Sequence, residues 1–190
     1  KKLGMRPSLL GFGCMRFPCV DGDLQAAIVE KEAEAMIDQA MAEGVTYYDT
    51  AYPYHNGQSE PFMGRVMQKY DRASFYFATK LPIWSVESRE DAVRYFKEQL
   101  ERLRTDYIDF YLIHALNRDR WEKVKKFGLI DLFEGYKREG KIRAFGFSFH
   151  DTYETFEEIL TAHDWDFCQI QLNYIDTEIQ AGVKGAKLCA

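Results

Sequence analysis

Four residues in this chain, Asp49, Tyr54, Lys80 and His114, carry side chains that could together move a proton and stabilise a developing charge. A phenol is a weak acid near neutral pH, with an ordinary pKa of about 10. An adjacent ammonium lowers that value by stabilising phenolate, and a carboxylate paired with the ammonium keeps it charged and in place. An imidazole beside them can donate a hydrogen bond to an oxygen where negative charge develops. Brought to one point, the set suits protonating an alkoxide as a carbonyl is reduced, with hydride from a nicotinamide. Taken singly, each residue reads as a polar group satisfied by water, so everything depends on whether the fold converges them.

The pattern of strands supplies that convergence. Residues 45–48, VTYY, are β-branched or aromatic and predict a strand that ends in Asp49. Tyr54 follows in a polar, turn-forming run that Ser59 closes as the N-cap of the next helix, over 59–70. Residues 75–80, FYFATK, predict a strand ending in Lys80, and residues 107–114, YIDFYLIH, predict one ending in His114. An earlier strand is expected over 9–15, with Arg16 at its carboxyl end, and later ones over 142–149 and 167–173. These last two place Ser148 and Gln169 at matching ends.

Helical patterns lie between the strands. The first runs from a turn at Asp21-Gly22-Asp23 to about Glu43, with Met36, Ile37, Ala40 and Met41 on one face. Ser88 to Asp91 resembles a capping box and opens a helix striped by Val93, Phe96, Leu100 and Leu103. A broken helix covers 121–126 and 129–139, and another follows a cap at Asp151-Thr152 as far as Leu160. A sixth is entered after Glu178.

Six strand-helix units with near-continuous apolar strands imply parallel strands joined by right-handed crossovers. A doubly wound dinucleotide fold would show GxGxxG after the first strand, and GFGCMR does not supply it. An α/β barrel of the (β/α)8 TIM type spreads functional groups over many strand ends, as Asp49, Lys80, His114, Ser148 and Gln169 are spread here. The expectation is one barrel domain over 1–190, incomplete at its C-terminal side, with about six βα units present.

Composition narrows the function classes. With 46% hydrophobic and 29% charged residues over 190 positions, the chain is ordinary globular protein, and its net charge of -5 gives no basic stripe for nucleic acid. No apolar run is long enough to span a bilayer and no leader is evident, which sets the expectation of a cytoplasmic protein without a membrane partner. Cys14, Cys19, Cys168 and Cys189 lack CxxC spacing, and the four histidines form no HExxH pair, so free thiols and no metal site are expected. Composition says nothing of oligomeric state.

Beyond these residue-level readings, DTAYPY with NGQSE, ATK and YIDFYLIH resemble the signature strands of the aldo-keto reductase family over essentially the whole length. The resemblance implies that Asp49, Tyr54, Lys80 and His114 form the family's catalytic tetrad, with Tyr54 as general acid. It implies a small-molecule carbonyl substrate and a nicotinamide cofactor, NADP(H) first and NAD(H) second. Gly146-Phe147-Ser148 and residues 169–173 resemble the cofactor strands, so Ser148 and Gln169 would hydrogen-bond the carboxamide, with Asp49 beside them. The family commonly has Asn after that serine. Here Phe149 stands there, and His150 is the candidate to supply the lost polar contact. GFSFH is similar to members that carry a C-terminal iron-sulfur segment, although the cysteines for one are not in this sequence. Two other readings remain open: a cofactor-sensing regulatory subunit on the same fold, and an unrelated barrel using Lys80 as a Schiff base. Trp84 is the candidate pocket wall.

Overall fold

The computed structural model describes residues 3–23 and 26–190. Six strands, β1 (Gly11–Gly13), β2 (Tyr47–Asp49), β3 (Tyr76–Leu81), β4 (Ile108–Leu116), β5 (Ile142–Phe149) and β6 (Phe167–Ile170), form one sheet in sequence order. Every neighbouring pair is parallel. Between them run α1 (Glu30–Ala42), α2 (Ser59–Val66), α3 (Arg89–Leu103), α4 (Arg118–Lys126), α5 (Leu129–Arg138) and α6 (Tyr153–Thr161), and α7 (Gly182–Cys189) follows β6. Parallel neighbours require a crossover after each strand, and these helices are the crossovers.

The strands are apolar on both faces, and each face has its own core. Outside the sheet, Phe96, Phe133, Phe145, Phe147 and Phe156 pack among the helices, while Ile37, Phe62, Met63 and Phe77 fill the space under α1 and α2. On the inner face a smaller cluster gathers Ala78, Phe110, Leu112 and Ala144. Phe110 of β4 meets Tyr47 of β2 at 5.2 Å and Phe167 of β6 at 5.1 Å between ring centroids. A single ring touching strands two places away on either side requires a curled sheet. The result is a half-barrel of the (β/α)8 type, as the strand pattern predicted.

Asp109 shows how a charge is accommodated inside this apolar frame. Asp109, buried at the start of β4, accepts from Arg72 at 2.6 Å, Arg143 at 2.9 Å and the Phe77 N–H at 2.9 Å. Two guanidinium groups and a backbone donor thus pair with a carboxylate that has no access to water. Glycine matters where backbones close up. A Cβ on Gly146 would stand 2.2 Å from the Phe167 carbonyl oxygen, so β5 and β6 can approach as they do only with hydrogen there.

Several element bounds differ from expectation for physical reasons. The helix expected soon after Asp23 begins at Glu30, because Cys19 and Ile28 pair as an antiparallel bridge first; Leu24 and Gln25 lie outside the described residues. On α1 the buried positions are Ala33 and Ile37, and Met36 is exposed. Ser59 is not the cap of α2. The turns before it are already helical at Gln58, and the Ser59 hydroxyl instead pairs with Thr50 and the Cys14 carbonyl. Ser88 does cap α3, accepting the Asp91 N–H at 3.1 Å. Strand β4 runs past His114 to Leu116, with a register shift between Ile113 and Leu116.

Candidate active site

Parallel strands in register bring their carboxyl ends to one rim. Asp49 ends β2, and Lys80, Ser148 and Gln169 are each the last residue but one of β3, β5 and β6. Together with Tyr54, His114, His150, Met15, Ile170 and Gln171 they line a cavity of about 340 Å³. All seven residues singled out from the sequence therefore face the same space. Larger or more apolar hollows lie elsewhere, at the outer side of β1 and beside α2, but they hold none of these groups.

Lys80 is the hub. Its Nζ, almost wholly buried, donates to Asp49 Oδ1 at 2.5 Å, to the Thr50 carbonyl at 2.8 Å and to the Tyr54 hydroxyl at 3.2 Å. Three acceptors match the three hydrogens of an ammonium. Burial pushes the Lys80 pKa down, yet Asp49 and Tyr54 outweigh it and hold the value above the ordinary range, so the group is a cation. The second oxygen of Asp49 accepts the Gln169 amide N–H at 3.1 Å, linking β2 to β6 across the rim.

Tyr54 stands on a loop bent by three successive left-handed residues, His55, Asn56 and Gly57. His55 is buried and steadies that bend: its Nε2 accepts the Phe17 N–H at 3.2 Å, and its Nδ1 lies 3.3 Å from Cys19 Sγ. Across the cavity the Tyr54 ring meets His114 edge-on, with centroids 5.9 Å apart. Burial, then the charges of Lys80, His150 and Arg120, push the His114 pKa down to about 3, so the imidazole is neutral at physiological pH. Its Nδ1 is buried with no partner among the described residues, which leaves Nε2 as the nitrogen that can serve the cavity.

On the opposite side, the Ser148 Oγ accepts the Ala115 N–H at 2.7 Å and keeps its own proton to give. His150 is exposed, with Nδ1 3.2 Å from Gln180 Oε1. Trp84 packs on His114 at 5.0 Å between ring centroids and is 38% exposed, so it stands as a wall beside the cavity lining.

Residue-by-residue reading missed the support behind Lys80. Glu60, fully buried in α2, accepts from Thr79 at 2.6 Å and from Gln99 at 2.7 Å, and Gln99 also donates to the Lys80 carbonyl at 3.1 Å. Burial raises the Glu60 pKa against the lowering effect of Thr79, Gln99 and Arg102. A signal was present: Gln99 falls in the buried stripe of α3 with Ala92, Phe96 and Leu103, and a polar residue in such a stripe requires a buried partner.

A profile of the aldo/keto reductase family matches residues 9–183. An aldo-keto reductase of Mycobacterium sp. (strain KMS) is 34% identical over 124 residues, covering 62% of this chain and 41% of its own length. One from Bacillus subtilis (strain 168) is 28% identical over 194 residues, covering 95% of this chain and 54% of its own. Among solved structures, the holo form of an aldo-keto reductase from Bacillus halodurans superposes with a TM-score of 0.70 at 29% identity, covering 88% of this chain and 54% of the other. The chain thus spans about half the length of the relatives it matches. A profile match over nearly every residue, on a half-barrel whose rim gathers these groups, assigns the chain to the aldo/keto reductase family.

Proposed function

We propose that the protein reduces a small aldehyde or ketone to an alcohol, with Tyr54 as the proton donor. The supporting observation is the Lys80 ammonium held between the Asp49 carboxylate and the Tyr54 hydroxyl, at 2.5 and 3.2 Å, beside a neutral His114. A reduced nicotinamide, when bound, supplies hydride to the carbonyl carbon. The residues present fit such a group: the Ser148 hydroxyl has a proton to donate, and Gln169 offers an amide held in place by Asp49. Both would hold the carboxamide, with His150 at the open edge. NADP(H) is the cofactor proposed and NAD(H) the alternative.

In this reading the carbonyl oxygen sits between Tyr54 and His114. Tyr54 gives its phenolic proton to that oxygen as negative charge develops, and the Lys80 ammonium stabilises the phenolate left behind. Asp49 keeps Lys80 charged and aimed. His114 donates a hydrogen bond without carrying charge, so it stabilises the oxyanion without competing as an acid. The four cysteines are free thiols, which supports the cytoplasm as the compartment proposed. Among the described residues no helix is long and apolar enough to cross a membrane.

The test is steady-state reduction of assorted aldehydes and ketones by the full-length gene product with NADPH and with NADH. Tyr54→Phe should lower turnover at least about 10²-fold, the lower range for general acid catalysis, with little change in cofactor affinity. A variant that keeps most of its turnover would remove Tyr54 from the reaction. Tight cofactor binding without turnover on any carbonyl would favour the regulatory-subunit reading instead.

A further inference from the structure

Just beyond His114 the backbone of β4 breaks its regular form. Ala115 has φ of 51°, in the left-handed region that side-chain-bearing residues seldom occupy, and the register against β5 shifts between Ile113 and Leu116. This is a bulge, and bulges re-aim the side chain beside them. An alanine held there costs free energy that its surroundings must offset. Both polar groups of its backbone are engaged. The Ala115 N–H donates to Ser148 Oγ at 2.7 Å, and its carbonyl accepts from Arg120 Nη1 at 2.6 Å.

Arg120 is well placed for this. Asn117 caps α4 by accepting the Arg120 N–H at 2.9 Å, so the residue stands in the first turn of a helix whose start is fixed. Its guanidinium lies 5.1 Å from the Trp84 ring centroid, and Trp84 in turn packs on His114. Among the described residues Arg120 makes no salt bridge, whereas Arg118, two residues earlier, pairs with Glu158 at 3.1 Å. The charge of Arg120 is therefore spent on one carbonyl and one aromatic face.

We infer that Arg120 is a positioning residue for His114, clamping the left-handed Ala115 from one side while Ser148 clamps it from the other. His114 then reaches the cavity at one angle, with its ring held between Tyr54 and Trp84. The inference rests on the reductase reading for its kinetic consequence but not for its structural one.

The experiment compares Arg120→Ala, Arg120→Lys and Arg118→Ala in the full-length gene product. The first readout is the ¹H–¹⁵N signal set of the His114 imidazole, assigned by its loss in His114→Gln. In Arg120→Ala these signals should shift and broaden, and in Arg120→Lys they should move less, because an ammonium gives one bond but no planar stack. Arg118→Ala should leave them in place. The second readout is turnover: Arg120→Ala should lose between roughly tenfold and 10²-fold in kcat with cofactor affinity unchanged, as for a displaced reacting group. Added guanidinium salt should recover part of both. Unmoved imidazole signals in a folded Arg120→Ala or Arg120→Lys, or an equal displacement in Arg118→Ala, would overturn the inference. A wild-type protein without reductase turnover, but with displaced His114 signals in the variants, would keep the clamp and sink the reductase reading.

Discussion

Lys80 holds a full charge where burial opposes it, and its three acceptors make that possible. Lys80→Met removes the donor shared by Asp49, Thr50 and Tyr54, leaving Asp49, among the described residues, with the Gln169 amide. Turnover should fall by at least about 10²-fold, while Asp49→Asn, which keeps the ammonium and an acceptor oxygen beside it, should be milder; kcat for both variants decides this. His114 makes a prediction about stability. Its pKa in the fold, about 3, lies below the ordinary 6.5, so the unfolded chain takes up the proton first. Its share of stability is complete above 6.5 and declines as pH falls toward 3. Urea midpoints of wild type and His114→Gln at pH 7 and at about pH 5 should show a smaller acid loss in the variant. An equal loss would place the acid sensitivity elsewhere. Of the seven residues that line the cavity, Asp49, Lys80, His114, Ser148 and Gln169 were legible as polar residues at strand ends, Tyr54 stood in the loop after β2, and His150 came from the family resemblance. Ala115 and Arg120 were not, since a bulge and a side chain crossing to a carbonyl leave no periodic signature, whereas Gln99 lay in the buried stripe of α3 and went unread.

At the scale of elements, β5 and β6 test how closely backbones must approach. Gly146→Ala should destabilise the protein by about 1 to 3 kcal/mol, the usual range for overpacking, because its Cβ would meet the Phe167 carbonyl at 2.2 Å. Gly13→Ala, in β1, has nothing within 4 Å of its new carbon and should change little. Thermal melts of the two variants check both. Interior elements were the legible ones: β5 begins and ends where its apolar run does, at Ile142 and Phe149. The outer strands β1 and β6 are shorter than their apolar runs, because a strand with one neighbour stops where pairing stops. The start of α1 was hidden by the Cys19–Ile28 bridge, a pairing set by tertiary contact rather than by local preference.

At the largest scale, the described residues form a curled sheet with edges at β1 and β6, and apolar side chains are exposed next to each. Leu9 and Leu10 stand 109% and 70% exposed before β1, and Tyr174 and Ile175 stand 92% and 74% exposed after β6. Unpaired parallel edges flanked by such residues recruit further strands. A polypeptide of residues 1–190 by itself should associate as its concentration rises, read by sedimentation velocity. A monomer at every concentration would show that its own edges are protected. The barrel class was legible at this scale because five of six apolar strands carried a polar residue toward the same end.

The sequential order of the sheet also bears on how the protein is made. Each strand pairs with the one synthesised just before it, so the sheet can extend unit by unit as the chain leaves the ribosome, with no strand waiting for a distant partner. The rim is different. The bond from Gln169 to Asp49 joins residues 120 apart in sequence, and it can form only after β6 has emerged. A nascent chain would therefore carry Tyr54, Lys80 and His114 in place for some time before the far side of its cavity existed.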